Sequence, residues 1–173
     1  ADKPGNRLVI FEADDSGHWN QTETLTLNGF PLGPIHTGSF TGDGEPSVLV
    51  MGKDGYAVVR LGGDRRSLEE VGSWRSEDDR SVPHELAVGD INSDGYGDMV
   101  SLDAGNQNFD IFTYNKSGDM LHARGFQIFE SKMFSGGDGR EYQPNQLIIT
   151  DLTGDGKHDV VMLCHDRVLL YPQ

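Results

Sequence analysis

Short apolar segments separated by turn-forming residues run along the whole chain, and almost none of it shows the periodicity of a helix. Such segments, bounded by Gly, Asn, Asp and Ser, predict β-strands. An Asp-Gly pair at 54–55 favours a tight hairpin between two of them. The predicted strands are Arg7–Ala13, Trp19–Leu27, Val48–Met51, Tyr56–Leu61, Leu68–Trp74, Leu86–Val88, Met99–Leu102, Phe109–Tyr114, Met120–Phe129, Leu147–Thr150, Val160–Leu163 and Val168–Tyr171.

Two loops between predicted strands carry the same spaced run of oxygen-bearing side chains. In Asp90–Asp98 (the first acidic loop) and Asp151–Asp159 (the second acidic loop), these side chains stand at relative positions 1, 3, 5 and 9, with glycine at position 6. Ca²⁺ prefers several oxygen ligands arranged around a sharp turn. The alternative is an Asp/Asn-rich turn without metal. The predicted calcium ligands are Asp90, Asn92, Asp94, Tyr96 through its carbonyl, Asp98, Asp151, Thr153, Asp155, Lys157 through its carbonyl, and Asp159.

A third copy of the loop lies upstream at Ser39–Ser47 (the serine loop). The three copies begin 90 − 39 = 51 and 151 − 90 = 61 residues apart, a period typical of solenoids, propellers and arrays. Serines replace the aspartates at both ends, and Asp43 is the one carboxylate left at a ligand position. We therefore expect two calcium sites and no third, with the serine hydroxyls closing the turn by local hydrogen bonds.

The loop pattern differs from an EF-hand, which needs a Glu at position 12 between two helices. Position 12 is Ser101 in one loop and Met162 in the other. A D-x-[N/T]-x-D-G-x-x-D loop between the first two strands of a repeating unit instead resembles the FG-GAP/VCBS repeat family, over roughly residues 34–172. The resemblance implies a single all-β domain of β-propeller-type, four-stranded antiparallel blades: a partial blade at 6–28 and blades near 34–75, 83–131 and 144–172.

Composition narrows the classes of partner. The net charge of −14 disfavours nucleic acid, which requires a basic face. No apolar run approaches the roughly 20 residues of a membrane-spanning helix. Calcium loops that fill at about millimolar calcium indicate an extracellular or periplasmic protein. Neighbouring residues on a strand point to opposite faces, so Cys164-His165-Asp166 does not predict a catalytic chain, and Cys164 is interpreted as a packing residue.

With no catalytic constellation outside the loops, the sequence predicts a binding or adhesion module, and the family resemblance implies a protein or a glycan as its partner. The alternatives are part of a polysaccharide-processing, lyase-like enzyme, or a structural spacer. Aromatic side chains could form a ligand platform or pack between blades, and packing is favoured for each: Trp19, Trp74, Tyr96, Phe109 and Tyr142.

The number of blades raises the question of how the propeller closes. Three to four blades fall short of the usual range of about four to eight. We expect the first two strands and the last three to complete one composite blade. That blade would form either within a homodimer or inside a longer propeller of which this chain is a fragment.

Overall fold

The fold is known from a computed structural model, which describes residues 1–27, 31–41, 44–61, 68–103, 105–117, 119–128, 146–164 and 167–173. These residues form β-strands joined by turns and loops. Within them, no helix has the length and apolar content needed to cross a membrane. The strands are β1 Arg7–Ala13, β2 Trp19–Thr26, β3 Ile35–Gly38, β4 Ser47–Met51, β5 Gly55–Leu61, β6 Leu68–Arg75, β7 Pro83–Gly89, β8 Asp98–Asp103, β9 Asn108–Tyr114, β10 Met120–Gln127, β11 Gln146–Thr150, β12 Asp159–Cys164 and β13 Arg167–Tyr171.

The strands form four antiparallel sheets, and each sheet uses consecutive strands in chain order. β1 and β2 make a two-stranded hairpin (the N-terminal hairpin). β3–β6 and β7–β10 make two four-stranded sheets (the first and second blades), and β11–β13 make a three-stranded sheet (the third blade). Successive four-stranded meanders are the building unit of propellers. The predicted all-β, propeller-type fold is confirmed.

The first blade is covered on both faces because its strands are apolar at consecutive positions. Leu49 and Met51 of β4 join the core shared with the second blade. Val48 and Val50, one residue along, join the core shared with the N-terminal hairpin. Since side chains alternate between the faces of a strand, this continuous apolar segment packs against one sheet on each face of the blade.

The second blade follows the same rule. Met99 of β8 and Phe112 of β9 face the first blade, whereas Val100, Leu102 and Phe109 face the third blade. All five side chains are at most 2 % exposed. The sheets therefore stack face to face, as blades do in a propeller.

The third blade is covered on one face by the chain itself. Leu147, Val160 and Met162 pack against the second blade. Ile148 and Leu170 lie on the opposite face and are 48 % and 44 % exposed.

The composite blade of the N-terminal hairpin and the third blade stays a prediction, because it was expected between two copies or inside a longer propeller. Within the described residues of one chain, the two are separate sheets. The hairpin covers the apolar outer face of the first blade, where Val50, Ala57 and Val59 are fully buried and pack with Leu8 of β1.

The aromatic side chains mostly pack between blades, as expected. Trp74 of the first blade lies 4.7 Å from Phe112 of the second, ring centre to ring centre, and Phe109 is 2 % exposed. Tyr96 is partly buried against the same core as Phe112. Trp19 is the exception at 71 % exposure, and Tyr142 lies outside the described residues.

Stability is expected to depend on the contact between the second and third blades. Leu102→Ala removes a side chain that is fully buried there and should lower the free energy of unfolding by about 2–5 kcal/mol. Leu121→Ala is the matched control because Leu121 is 47 % exposed, and it should cost less than about 0.5 kcal/mol. Urea denaturation of both variants measures the difference. Equal losses would contradict the assignment of this core.

Candidate functional site

The first acidic loop is closed by its own backbone amides. Asp90 accepts hydrogen bonds from the amides of Asp94 and Gly95, each at 3.0 Å. Asp94 in turn accepts the Tyr96 amide at 2.8 Å. Gly95 has φ = 87°, a left-handed conformation that glycine adopts without steric cost. The carboxylates at positions 1 and 5 therefore hold a tight turn.

The second acidic loop repeats this arrangement. Asp151 accepts the amides of Asp155 and Gly156 at 3.2 and 2.9 Å, and Asp155 accepts the Lys157 amide at 3.0 Å. Gly156 has φ = 85°. The two loops thus share geometry as well as sequence, residue by residue.

The aspartate at position 9 is buried in both loops, but its surroundings differ. Asp98 accepts the amides of Ile91 and Asn92 through Oδ2, while its Oδ1 is buried without a hydrogen-bond partner. Burial raises the pKa of Asp98, against the opposing effect of the Thr113 hydroxyl and the two amides. A charge at this position is destabilised by desolvation.

In the second loop the equivalent oxygen has a partner. The Gln173 amide donates to Oδ1 of Asp159 at 3.1 Å, and the amides of Leu152 and Thr153 donate to Oδ2. The Gln173 amide, followed by the other two, lowers the pKa of Asp159. This carboxylate is therefore stabilised in its ionised form by the protein itself.

The serine loop closes as the sequence predicted. Ser47 accepts the Phe40 amide at 3.0 Å and donates to the Gly38 carbonyl at 3.0 Å. Gly42 and Asp43 lie outside the described residues. The Ser47 hydroxyl therefore closes this turn by hydrogen bonds, as a carboxylate does in the other two loops.

The positions of the described acidic side chains add no support to the predicted calcium sites. In the described part of the chain, no three His, Cys, Asp or Glu side chains are grouped so that they could hold a metal ion. The carboxylates at positions 1 and 5 of both acidic loops accept backbone amides instead. Calcium uptake by the ten predicted ligands stays a prediction.

The three loops contact one another along one rim of the stacked sheets. His158 lies at position 8 of the second acidic loop, and its ring forms a hydrogen bond with the Asp90 carbonyl of the first acidic loop at 3.1 Å. At position 8 of the first acidic loop, a Cβ on Gly97 would lie 3.0 Å from the Ser39 carbonyl of the serine loop. Position 8 of each loop thus docks on position 1 of the preceding one.

Strands at equivalent places in neighbouring blades meet. β7 and β11, the first strands of the second and third blades, contact each other. β6 and β10, the last strands of the first and second blades, also contact each other and border an open cleft of about 380 Å³, called the outer cleft below. β3, β7 and β11, the first strands of the three blades, are called the inner strands.

Two histidines occupy these inner strands. His36 is the second residue of β3, and His84 is the second residue of β7; both are partly buried. The β7–β8 register shifts between Pro83 and Glu85, so that His84 lies at a β-bulge. Bulges redirect side chains and are common beside active sites.

The outer cleft is lined by both polar and apolar residues. Glu70, Ser73, Asp119 and Leu121 are among its lining residues. Next to Leu121 on β10, the His122 ring forms a hydrogen bond with the Asp110 carboxylate at 2.9 Å.

Gly125 makes room for this pair, since a Cβ there would lie 2.5 Å from Oδ1 of Asp110. Burial raises the pKa of Asp110, and the hydrogen bond from His122 opposes the increase. Together with the Trp74–His122 ring contact at 5.7 Å, the pair joins the outer strands of two blades.

Sequence reasoning missed both groups of residues. His36 and His84 are 48 positions apart (84 − 36), and no local motif links them. Their shared feature is position, because each is the second residue of the first strand of its blade. Alignment of the repeats by their strands, in addition to their loops, would have revealed it. The interpretation of Cys164 as a packing residue stays a prediction, since its side chain, His165 and Asp166 lie outside the described part of the chain.

Comparison with known proteins gives likeness of structure alone. No protein-family model matches the chain, and no curated protein is similar in sequence. Among solved structures, a protein from Lactobacillus plantarum is 15 % identical with a TM-score of 0.60, covering 97 % of this chain and 45 % of that one. A candidate 6-phosphogluconolactonase from Bacteroides fragilis is 15 % identical with a TM-score of 0.50, covering 73 % and 34 %.

A further solved structure is a periplasmic gluconolactonase from Pseudomonas aeruginosa. It is 17 % identical with a TM-score of 0.51, covering 72 % of this chain and 34 % of that one. The chain thus spans less than half the length of all three structures. At these identities the likeness shows the propeller fold.

The comparisons correct two expectations from the sequence. The resemblance to FG-GAP/VCBS repeats is not supported, since no family model matches and the similar structures include propellers with lactonase names. The calcium-binding adhesion module is wrong for the same reason, and the described residues contain no group of three or more His, Cys, Asp or Glu side chains that could hold a metal ion. Oxygen-rich turns recur in unrelated proteins because Asp and Asn cap their own backbone, so a spacing match does not define a family.

The two aspartates at position 9 are expected to respond differently to substitution. Asp98→Asn removes a desolvated charge and keeps an oxygen for Ile91 and Asn92, so the Tm measured in EDTA should stay the same or rise. Asp159→Asn places an NH₂ group where both oxygens accept amides, so the Tm should fall by several degrees. Thermal denaturation of the two variants checks this. A larger loss for Asp98→Asn would overturn the assignment.

Calcium uptake is tested separately by calorimetric titration of the native chain. If the ten predicted ligands hold calcium, two sites fill, the Tm rises because the ion binds the folded state, and Asp94→Ala and Asp155→Ala each remove one site. The absence of heat at millimolar calcium would leave the loops as hydrogen-bonded turns.

Proposed function

We propose that this chain forms part of a lactonase-type β-propeller that hydrolyses a sugar-derived lactone, with its ligand site at the inner strands. The observation that carries the proposal is the likeness to two propellers that bear lactonase names, over 73 % and 72 % of this chain. His36 and His84 on β3 and β7 supply groups suited to the chemistry. Because fold alone does not define function, the histidines and the substrate must be tested directly.

Lactone hydrolysis requires a general base for the attacking water and a proton donor for the leaving ring oxygen. Water attacks the carbonyl carbon of the lactone while a neutral imidazole takes its proton. The bond from that carbon to the ring oxygen then breaks, the ring oxygen receives a proton, and the product is the open hydroxy acid. We assign the base to His84 because its β-bulge redirects the side chain. We assign to His36 the donation of a proton to the leaving ring oxygen.

The inner strands favour a neutral lactone over a phosphorylated one. Their sequences, IHTG, PHELAVG and QLIIT, contain neither Lys nor Arg. Phosphate recognition typically uses Arg or Lys. The net charge of −14 would further repel a phosphorylated substrate. An unphosphorylated aldonolactone is therefore the preferred substrate class.

The proposed compartment is the periplasm or the extracellular space. The Pseudomonas aeruginosa structure is named as a periplasmic protein, which agrees with the expectation from the sequence. The sequence contains a single cysteine, so this chain cannot form an internal disulfide in such an oxidising compartment.

Turnover of D-glucono-δ-lactone, measured by acid release above the spontaneous rate, tests the proposal. The native chain should accelerate hydrolysis, and His84→Ala should reduce kcat/KM by about 100-fold, as loss of a general base commonly does. His36→Ala should also reduce it. The 6-phosphorylated lactone should react more slowly than the neutral one.

His18→Ala is the matched control because the His18 side chain is 82 % exposed in the turn of the N-terminal hairpin. It should leave the rate unchanged. Acid release equal to the spontaneous rate would refute lactone hydrolysis by this chain. Equal loss in the His18 and His84 variants would refute the assignment of the base.

A further inference from the structure

A polar cavity lies at the end of the second blade that is opposite the first acidic loop. The register aligns the four strand ends there in one row: Pro83, Asp103, Asn108 and Gln127. The cavity beside this row has a volume of about 310 Å³, at the lower end of the roughly 300–1,000 Å³ typical of ligand sites. A small ligand therefore fits it. The cavity (the amide cavity) is lined by Asp78, Arg80, Gly105, Asn106, Gln107, Asn108 and Gln127.

The turn between β8 and β9 packs directly on the segment that leads from the first blade to the second. Oδ1 of Asp103, a buried carboxylate, accepts the Val82 amide of that segment at 2.9 Å. The same oxygen accepts the amides of Gly105 and Asn106 in the turn at 2.8 and 3.1 Å. A Cβ on Gly105 would collide with the Arg80 carbonyl, so glycine is required for this close approach. One buried carboxylate thus fixes two walls of the amide cavity.

Gln107 lies in the same turn with an unusual backbone conformation. Its φ is 57°, a left-handed value that is uncommon for residues other than glycine and Asn or Asp. Its carbonyl accepts the Ile128 amide at 2.9 Å, which ties the turn to the end of β10. Backbone strain of this kind is concentrated at ligand sites. Glycine here would relieve the strain, but it would remove an amide side chain from the cavity lining.

The side chains of the amide cavity suit an uncharged ligand that is rich in hydroxyl groups. Four of its seven lining residues are Asn or Gln, and each of these amides carries both hydrogen-bond donors and an acceptor. A hydroxyl group also donates and accepts, so each hydroxyl finds matching partners. Nε and Nη2 of Arg80 donate to Asp78 at 3.1 and 2.9 Å, which balances the charge of the one Arg in the lining. The net charge of −14 further disfavours an anion.

The amide cavity lies at the same end of the second blade as the proposed base. Arg80 precedes His84 by 84 − 80 = 4 residues, so their Cα atoms are at most about 14 Å apart. Asn108 begins β9, two strands from β7, which places it about 10 Å away across the sheet. A ligand of two linked sugar rings spans this separation.

We propose that the amide cavity is a subsite for an uncharged sugar ring linked to the lactone, so that the preferred substrate is a two-ring aldonolactone. The lactone part of this assignment rests on the proposed function, whereas the sugar part rests on the cavity. The second ring does not react and stays bound through the transition state. Its binding energy is therefore expressed in kcat/KM.

The test compares cellobiono-δ-lactone, which carries a second sugar ring, with D-glucono-δ-lactone. The native chain should hydrolyse the two-ring lactone with a kcat/KM at least about tenfold higher. Asn108→Ala and Gln127→Ala should each reduce this preference by about three- to tenfold, as expected for the loss of one hydrogen bond. The double variant should abolish the preference. The rate with the single-ring lactone should stay the same in each variant.

Gln21→Ala is the matched control because it removes an exposed amide from β2 of the N-terminal hairpin. It should keep the preference for the two-ring lactone. His84→Ala should slow both lactones by the same factor, since the base acts on either, and should leave the preference unchanged. Far-ultraviolet circular dichroism of each variant confirms that the fold is kept.

The outcomes separate this subsite from the proposed function. Equal kcat/KM for the two lactones in the native chain would overturn the subsite and leave lactone hydrolysis standing. Hydrolysis of neither lactone would refute the proposed function, and saturation-transfer NMR with methyl glucoside, a sugar ring without a lactone, then decides on the cavity. Saturation transfer that is present in the native chain and lost in the double variant would support a sugar site. Its absence from the native chain would overturn one.

Discussion

The structure depends on the burial of apolar side chains on both faces of each blade. In the first blade, Leu49 and Val50 are adjacent on β4, point to opposite faces and are both fully buried. Such a sheet cannot stand alone in water or cover one side of a single core. It needs a neighbour on each face, and the neighbour has the same need. Stacking continues until a ring closes or a polar face ends it.

The order of the loops and strands follows from this stacking. When each blade packs on the one before it, equivalent loops come to the same rim, and position 8 of one loop meets position 1 of the preceding loop. The first strands of the second and third blades contact each other, and so do the last strands of the first and second blades beside the outer cleft. A ligand at the inner strands would meet one strand from each blade. Function at such a site is distributed over repeats, and no single repeat carries it.

Strand positions could be predicted from the sequence because turn chemistry and strand patterning agree locally. Arg7–Ala13 was expected from its pattern and is β1 without change. The family assignment failed because a local signal was taken as a global one. The first acidic loop satisfies its own carboxylates with the amides of Asp94, Gly95 and Tyr96, so the same residues serve a turn as well as they would serve a cation.

The arrangement between sheets could not be predicted in the same way. The strand pattern of the N-terminal hairpin does not indicate which sheet it packs against. The structure places it on the first blade, where it buries several side chains, among them Val50 and Val59. This contact joins residues far apart in the chain, and its partner is set by which apolar faces remain uncovered once the blades have stacked. A local pattern of apolar and polar residues carries no information about that choice.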